Sequence, residues 1–199
     1  MRKMSGELEE VLKERFPGEN VKVIARVLAF AADKGSIRYE EIGLEGDLKV
    51  DLLLLLVKKR LLLPVWTSRT LAWEDRILTF KSGERYEMPH VIRNLVRNAE
   101  KKGRWSPDYA IKKYLKDIGE PESDRVLEFF KLIRKNAGGG KVTLDLIEEA
   151  SEKTGLKHNI GRIIAELKGG GIISPCLRDP LHLQYEINPS LNDKKSFQS

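Results

Sequence analysis

The sequence predicts an α+β chain, mostly α with small β elements, built as two similar units joined by a helical linker. Three observations predict it. Apolar residues recur at i, i+3, i+4 and i+7 along several stretches, which is helical spacing. The alternating runs are few and short, enough for small antiparallel ribbons only. The order helix, strand, helix, helix, strand, strand occurs twice, although no clean sequence repeat is visible.

The elements follow in chain order. Residues 7–16 (ELEEVLKERF) form a short amphipathic helix closed by Pro17-Gly18. Residues 19–33 form a stronger helix, with Val23, Ile24, Val27, Leu28, Phe30 and Ala31 on its apolar face and Lys34-Gly35 as its stop. Ser36–Arg38 reads as a strand, Tyr39–Ile42 as a short helix and Asp47–Arg60 as a leucine-rich helix. Leu61–Trp66 reads as an edge strand because of Pro64. Residues 70–80 (TLAWEDRILTF) read as two strands around Glu74-Asp75. Two linker helices follow, Pro89–Lys102 and a second from Ser106-Pro107-Asp108 to Ile118, where Ser106 is a plausible N-cap and Pro107 takes the first turn. Gly119-Glu120-Pro121 ends it. The expected organisation is an N-terminal helix in 1–18, a first unit at 19–84, a basic helical linker at 85–120, a second unit at 121–189 and a polar tail at 190–199.

The likeness to a known family lies in the second unit. Leu144 and Ile147 sit three apart on the inner face of its second helix. Gly155 allows a positive φ at the turn. Ile160, Ile163, Ile164 and Leu167 bury one face of its third helix. Gly169-Gly170-Gly171 ends that helix, Ile172–Cys176 begins a strand, Arg178-Asp179-Pro180 makes a loop and Leu183–Ile187 returns. In these residues the segment resembles the winged helix-turn-helix superfamily of small prokaryotic and archaeal regulators. Two departures stand against the match: one extra residue between Ala150 and Gly155, and three glycines where one is usual. In the first unit, LLLLLVKKRLLLPV is similar to the third helix and wing strand of the same superfamily. The resemblance implies two winged-helix domains, an archaeal-type tandem protein, and a docking role on nucleic acid or on another protein.

Composition bounds the function. The 199 residues carry a net charge of +6 and a pI of about 9.3, a mild basic bias compatible with nucleic acid. One cysteine, Cys176, allows no internal disulfide, and no Cys/His set has zinc spacing. MRKMSGELEE lacks the apolar run of a signal peptide, and Leu52–Val57 is too short to span a bilayer. A cytoplasmic location without membrane contact is expected. Charged residues at 33% and only two glutamines lean toward a thermophile.

The charge is concentrated. Residues 85–116 hold nine Lys/Arg and three acids, a surplus of six that equals the net charge of the whole chain. Arg93, Arg97 and Lys101 are four apart and form a stripe, with Asn94, Asn98 and Lys102 beside it, and Arg104 follows. Such a stripe could track a phosphate backbone, or be an ordinary solvated face. In the second unit the outward positions of the third helix are His158, Asn159, Arg162, Glu166 and Lys168, with Lys157 before it and Arg178 in the loop. Arg162 is the expected base contact, set against a merely solvated polar face. In the first unit the five leucines 52–56 cover the whole circumference. Leu52, Leu53, Leu55 and Leu56 therefore pack inside the chain or make a homodimer. Trp105 is expected as a core or hinge anchor rather than a stacking platform.

Catalytic patterns fail. Gly138-Gly139-Gly140-Lys141 lacks phosphate-loop spacing and follows a helix. His90, His158 and His182 are dispersed, Cys176 lies on a strand and Glu148-Glu149-Glu152 is an acidic helix face. No enzyme, cofactor or metal is expected. The leading expectation is a transcriptional regulator bound to double-stranded DNA. The alternative is a winged-helix scaffold for protein partners in transcription or chromosome machinery.

Overall fold

A computed structural model of the chain describes residues 6–65, 72–176 and 183–192. The fold is mostly helical, with two small antiparallel three-stranded sheets. Helices α1 (Gly6–Lys13) and α2 (Val21–Lys34) lead into β1 (Ser36–Arg38), α3 (Gly46–Lys58), β2 (Leu63–Pro64) and β3 (Arg85–Glu87). Next come α4 (His90–Lys102), α5 (Pro107–Asp117) and α6 (Ser123–Asn136). The chain closes with β4 (Lys141–Thr143), α7 (Leu144–Thr154), α8 (Ile160–Gly169), β5 (Ile173–Cys176) and β6 (Gln184–Ile187). Asn20 caps α2 by accepting from the Val23 N–H, and Gly35 ends it in the left-handed conformation at φ 85°. Thr143 caps α7 in the same way, and Gly155 ends it at φ 69°, as its place in the sequence requires.

One expectation fails in the first sheet. Residues 70–80 do not form two strands: Trp73–Asp75 is a single 3-10 turn, and Thr70 and Leu71 lie outside the described residues, as does Trp66. The third strand is Arg85–Glu87, which the charge pattern had placed in the linker. The physical reason is burial. Tyr86 is fully buried and donates its hydroxyl to the Thr79 carbonyl, so this three-residue strand carries the anchoring side chain of the sheet. Burial, with Glu84 nearby, pushes the Tyr86 phenol up to about 12.

The two units, whose order of elements already repeats in the sequence, also repeat in backbone detail. Both sheets run first strand, third strand, second strand. In one, Tyr86 faces Ile37 and Pro64; in the other, Tyr185 faces Val142 and Pro175. The Met88 N–H donates to the Gly35 carbonyl at 2.9 Å, and the Ile187 N–H to the Gly140 carbonyl at 2.8 Å. Leu61 N–H donates to Leu56 O, and Ile172 N–H to Leu167 O, each at 2.9 Å. Two repeats therefore share one hydrogen-bond template while sharing few residues.

The repeats also grip each other reciprocally. The turn after α8 packs on the segment following β3: the Val91 N–H donates to the Gly170 carbonyl, and Gly171 lies against Pro89. The turn after α3 packs on the segment following β6: Asn188 Nδ2 donates to the Arg60 carbonyl and Ser190 Oγ to the Lys59 carbonyl. Asn188 and Ser190 are fully buried, so these bonds satisfy interior polar groups. Such i-to-j and j-to-i contacts are the mark of a two-fold pair, here within one chain.

This architecture settles two sequence questions. Two of the three glycines are needed: a Cβ at Gly170 would meet the Tyr114 ring at 2.5 Å and one at Gly171 would meet Pro89 at 2.4 Å, while one at Gly169 would make only ordinary contact. The linker helix α4 is not peripheral. It packs against α1, α2 and α5, and Val91, Ile92, Leu95, Val96 and Ala99 are buried in a core cluster that takes in both repeats.

Candidate functional site

The surface of the α7–α8 pair departs from the polar exterior expected of it. Leu144, read as an inner residue, is 47% exposed, while Ile147 three positions on is buried. On α8, Ile163 and Leu167 fill the core, but Ile160 and Ile164 are only half-buried, and Gly161 and Ala165 lie open. The apolar stripe of this helix is wider than the interior can cover. Its surplus forms a shallow groove of about 360 Å³ between Leu144, Ile160, Ile164, Ala165 and Tyr185, with Lys168 among its lining residues.

Arg162 and Glu166 of the same helix, and Lys157 and Asn159 just before it, are committed. Arg162 donates to both oxygens of Glu120 and, at 2.7 Å, to Glu166. The Glu120 side chain is 0% exposed, so Arg162 closes off a buried carboxylate instead of presenting a fork to a base. Burial pushes the Glu120 carboxyl up, but Arg162, the Glu122 N–H and the Glu166 side chain outweigh it, and its pKa falls below the usual glutamate value. Burial and the neighbouring Glu120 move Glu166 the other way, above that value. Lys157 is paired with Glu152 at 2.6 Å and Glu148 at 3.5 Å. Asn159 donates to Glu122 at 3.3 Å. His158 is exposed on the 3-10 turn preceding α8. Arg178 lies outside the described residues, as does His182.

The α4 stripe is only partly a surface. Asn94 and Asn98 are 3% and 6% exposed. Asn94 donates to the Ala110 carbonyl at 3.5 Å and Asn98 to the Arg104 carbonyl at 2.6 Å, so both tie α4 to the chain leading through α5. They cannot follow a phosphate backbone, because α4 is surrounded. Arg93 and Arg97 are half-buried, and burial, reinforced by Arg97, lowers the pKa of Arg93. Lys101, Lys102 and Arg104 are exposed at the helix end. Trp105 donates its Nε1–H to the Ser190 carbonyl at 3.0 Å under the Arg15 guanidinium, as an anchor does.

In the first repeat, Leu52, Leu53 and Leu56 are buried in the core and Leu55 packs against it, which agrees with a packing role. Leu48 at 69% and Leu54 at 46% are exposed on the same helix, beside exposed Asp47 and Asp51. The groove and these leucines were legible only as apolar letters; helical periodicity alone cannot say which of them the interior has room for.

Among the described residues no group of His, Cys, Asp and Glu could hold a metal ion, and no helix is long and apolar enough to cross a membrane. A family model of unestablished function matches residues 6–195. No curated protein and no solved structure matches the chain.

Proposed function

The chain belongs to the family matched over residues 6–195, and from its two repeats we propose a tandem winged-helix protein that docks on a protein partner. The strand order supports the winged-helix reading, as does the helix pair ahead of the second ribbon, which in the first repeat is a 3-10 turn at Tyr39–Glu41 followed by α3. The observation that carries the docking role is the apolar groove on α8. A helix that reads a major groove presents cations and amides there. This one presents Ile160, Ile164 and Ala165, with Leu144 of α7 beside them, and its arginine is held by carboxylates. An amphipathic helix of the partner, laying apolar anchors into the groove, fits this chemistry. The setting remains the transcription or chromosome machinery that the resemblance implies.

A second reading, double-stranded DNA as partner, is favoured by the exposed Lys101, Lys102 and Arg104 at the end of α4. Fluorescence anisotropy with a random duplex over a salt series separates the two. Docking on protein predicts weak binding with a shallow salt slope. Tight binding at low salt that falls steeply with salt, and is lost in Lys101→Glu/Lys102→Glu, would put DNA first.

A further inference from the structure

The two repeats differ sharply at one corner. The turn out of α8 is Gly169-Gly170-Gly171; the matching turn out of α3 is Lys58-Lys59-Arg60. The third residue has a positive φ in both, 72° at Gly171 and 53° at Arg60. Among the described residues Arg60 is the one non-glycine in that conformation, which is strained for a residue with a Cβ. A lysine in the last turn of α3 has an ordinary explanation, since it offsets the helix dipole. That does not account for an arginine where the repeat's own template takes glycine.

The corner opens onto a cleft of about 670 Å³ between the repeats, within the range of small-ligand sites. Lys58, Lys59, Arg60 and Arg134 line it with one carboxylate, Glu186, so its walls carry four positive charges against one negative. Glu186 lies 3.5 Å from Arg60, a loose pair, and the Arg60 Nε is buried without a hydrogen-bond partner. Arg134 is turned toward Asp108 at 3.0 Å and the Leu191 carbonyl at 3.2 Å. Gly139-Gly140 and Asn192 complete the wall from the second repeat.

We infer that this cleft binds a small oligophosphate, a free polyphosphate or the phosphate chain of a nucleotide, held by the Lys58–Arg60 corner. The inference is independent of the docking groove, which lies on α7 and α8. A concave site of this size suits a compact polyanion better than the broad backbone of a duplex.

Calorimetric titration of the full chain tests it, with tripolyphosphate, ATP and a random DNA duplex as separate probes at low salt. Saturable one-to-one binding of tripolyphosphate or ATP is expected, with a rise in Tm; preference for ATP identifies the nucleotide as the source. Lys58→Gln/Lys59→Gln should weaken binding about tenfold or more, and Lys101→Gln/Lys102→Gln should leave it unchanged. Arg60→Gly, which installs the template residue, should weaken binding while the melting curve stays cooperative. Three results overturn the inference: neither small probe binds; the Lys101 and Lys102 variant loses as much as the corner variant; or the duplex alone binds through the corner.

Discussion

Glu120 shows how a single buried charge organises the second repeat. Its carboxylate is removed from water and is matched by Arg162, which lies forty-two positions away in sequence. Arg162→Ala leaves that carboxylate unpaired, so the variant should melt at a lower temperature at neutral pH. The sign follows from Glu120's depressed pKa: its contribution is present above the ordinary glutamate value and fades as pH falls below it. The gap between wild type and variant should therefore shrink in acid. Glu166 behaves oppositely. Its pKa is raised, so its contribution is full in acid and is lost as pH rises through the folded value. Glu166→Gln should thus match or exceed wild-type stability at neutral pH, with the advantage vanishing in acid; thermal melts across the pH range check both. The sequence marked Arg162 as outward-facing and Glu120 as part of a helix stop. Neither mark could pair them, because periodicity speaks only to residues within a turn or two.

At the scale of elements, helices were legible to within three residues at either end, since their apolar faces and glycine stops are local signals. Strands were not. Arg85–Glu87 has three residues and only one buried side chain, too little for alternation to register. The asparagines of α4 misled for a related reason: a polar residue at helical spacing looks the same whether it meets water or a neighbour's carbonyl. The glycine corner gives a sharp expectation. Gly170→Ala would drive a methyl into the Tyr114 ring, and Gly171→Ala would press on Pro89 from a backbone at φ 72°. Each should destabilise by about 1–3 kcal/mol, measured by urea unfolding. By contrast Gly161→Ala, where nothing lies within 4 Å of the added carbon, should be neutral or stabilising by up to about 1 kcal/mol.

For the whole molecule, the reciprocal packing of the two repeats does within one chain what a homodimer does with two. The sequence reading left a homodimer open because five consecutive leucines exceed what one helix face needs. The interior of this chain takes Leu52, Leu53 and Leu56 itself. Light scattering should accordingly return a monomer. A piece that ends before α6 should lose cooperative unfolding, because the core cluster spans both repeats and Lys59, Arg60, Pro89 and Val91 would lose their partners. The repeat showed in the sequence only as an order of elements. Its template is written in backbone bonds and strand register, and these tolerate Lys-Lys-Arg in one copy and Gly-Gly-Gly in the other.

The docking groove is tested most directly by quantitative co-purification from nuclease-treated lysate, comparing wild type, Ala165→Glu and Lys101→Glu/Lys102→Glu. Ala165 is exposed and lines the groove, so the glutamate adds charge there without disturbing the core. A stoichiometric protein partner should be retained by wild type and the lysine variant and lost with Ala165→Glu. A partner that survives Ala165→Glu, or one that disappears from every sample once nucleic acid is removed, would contradict it.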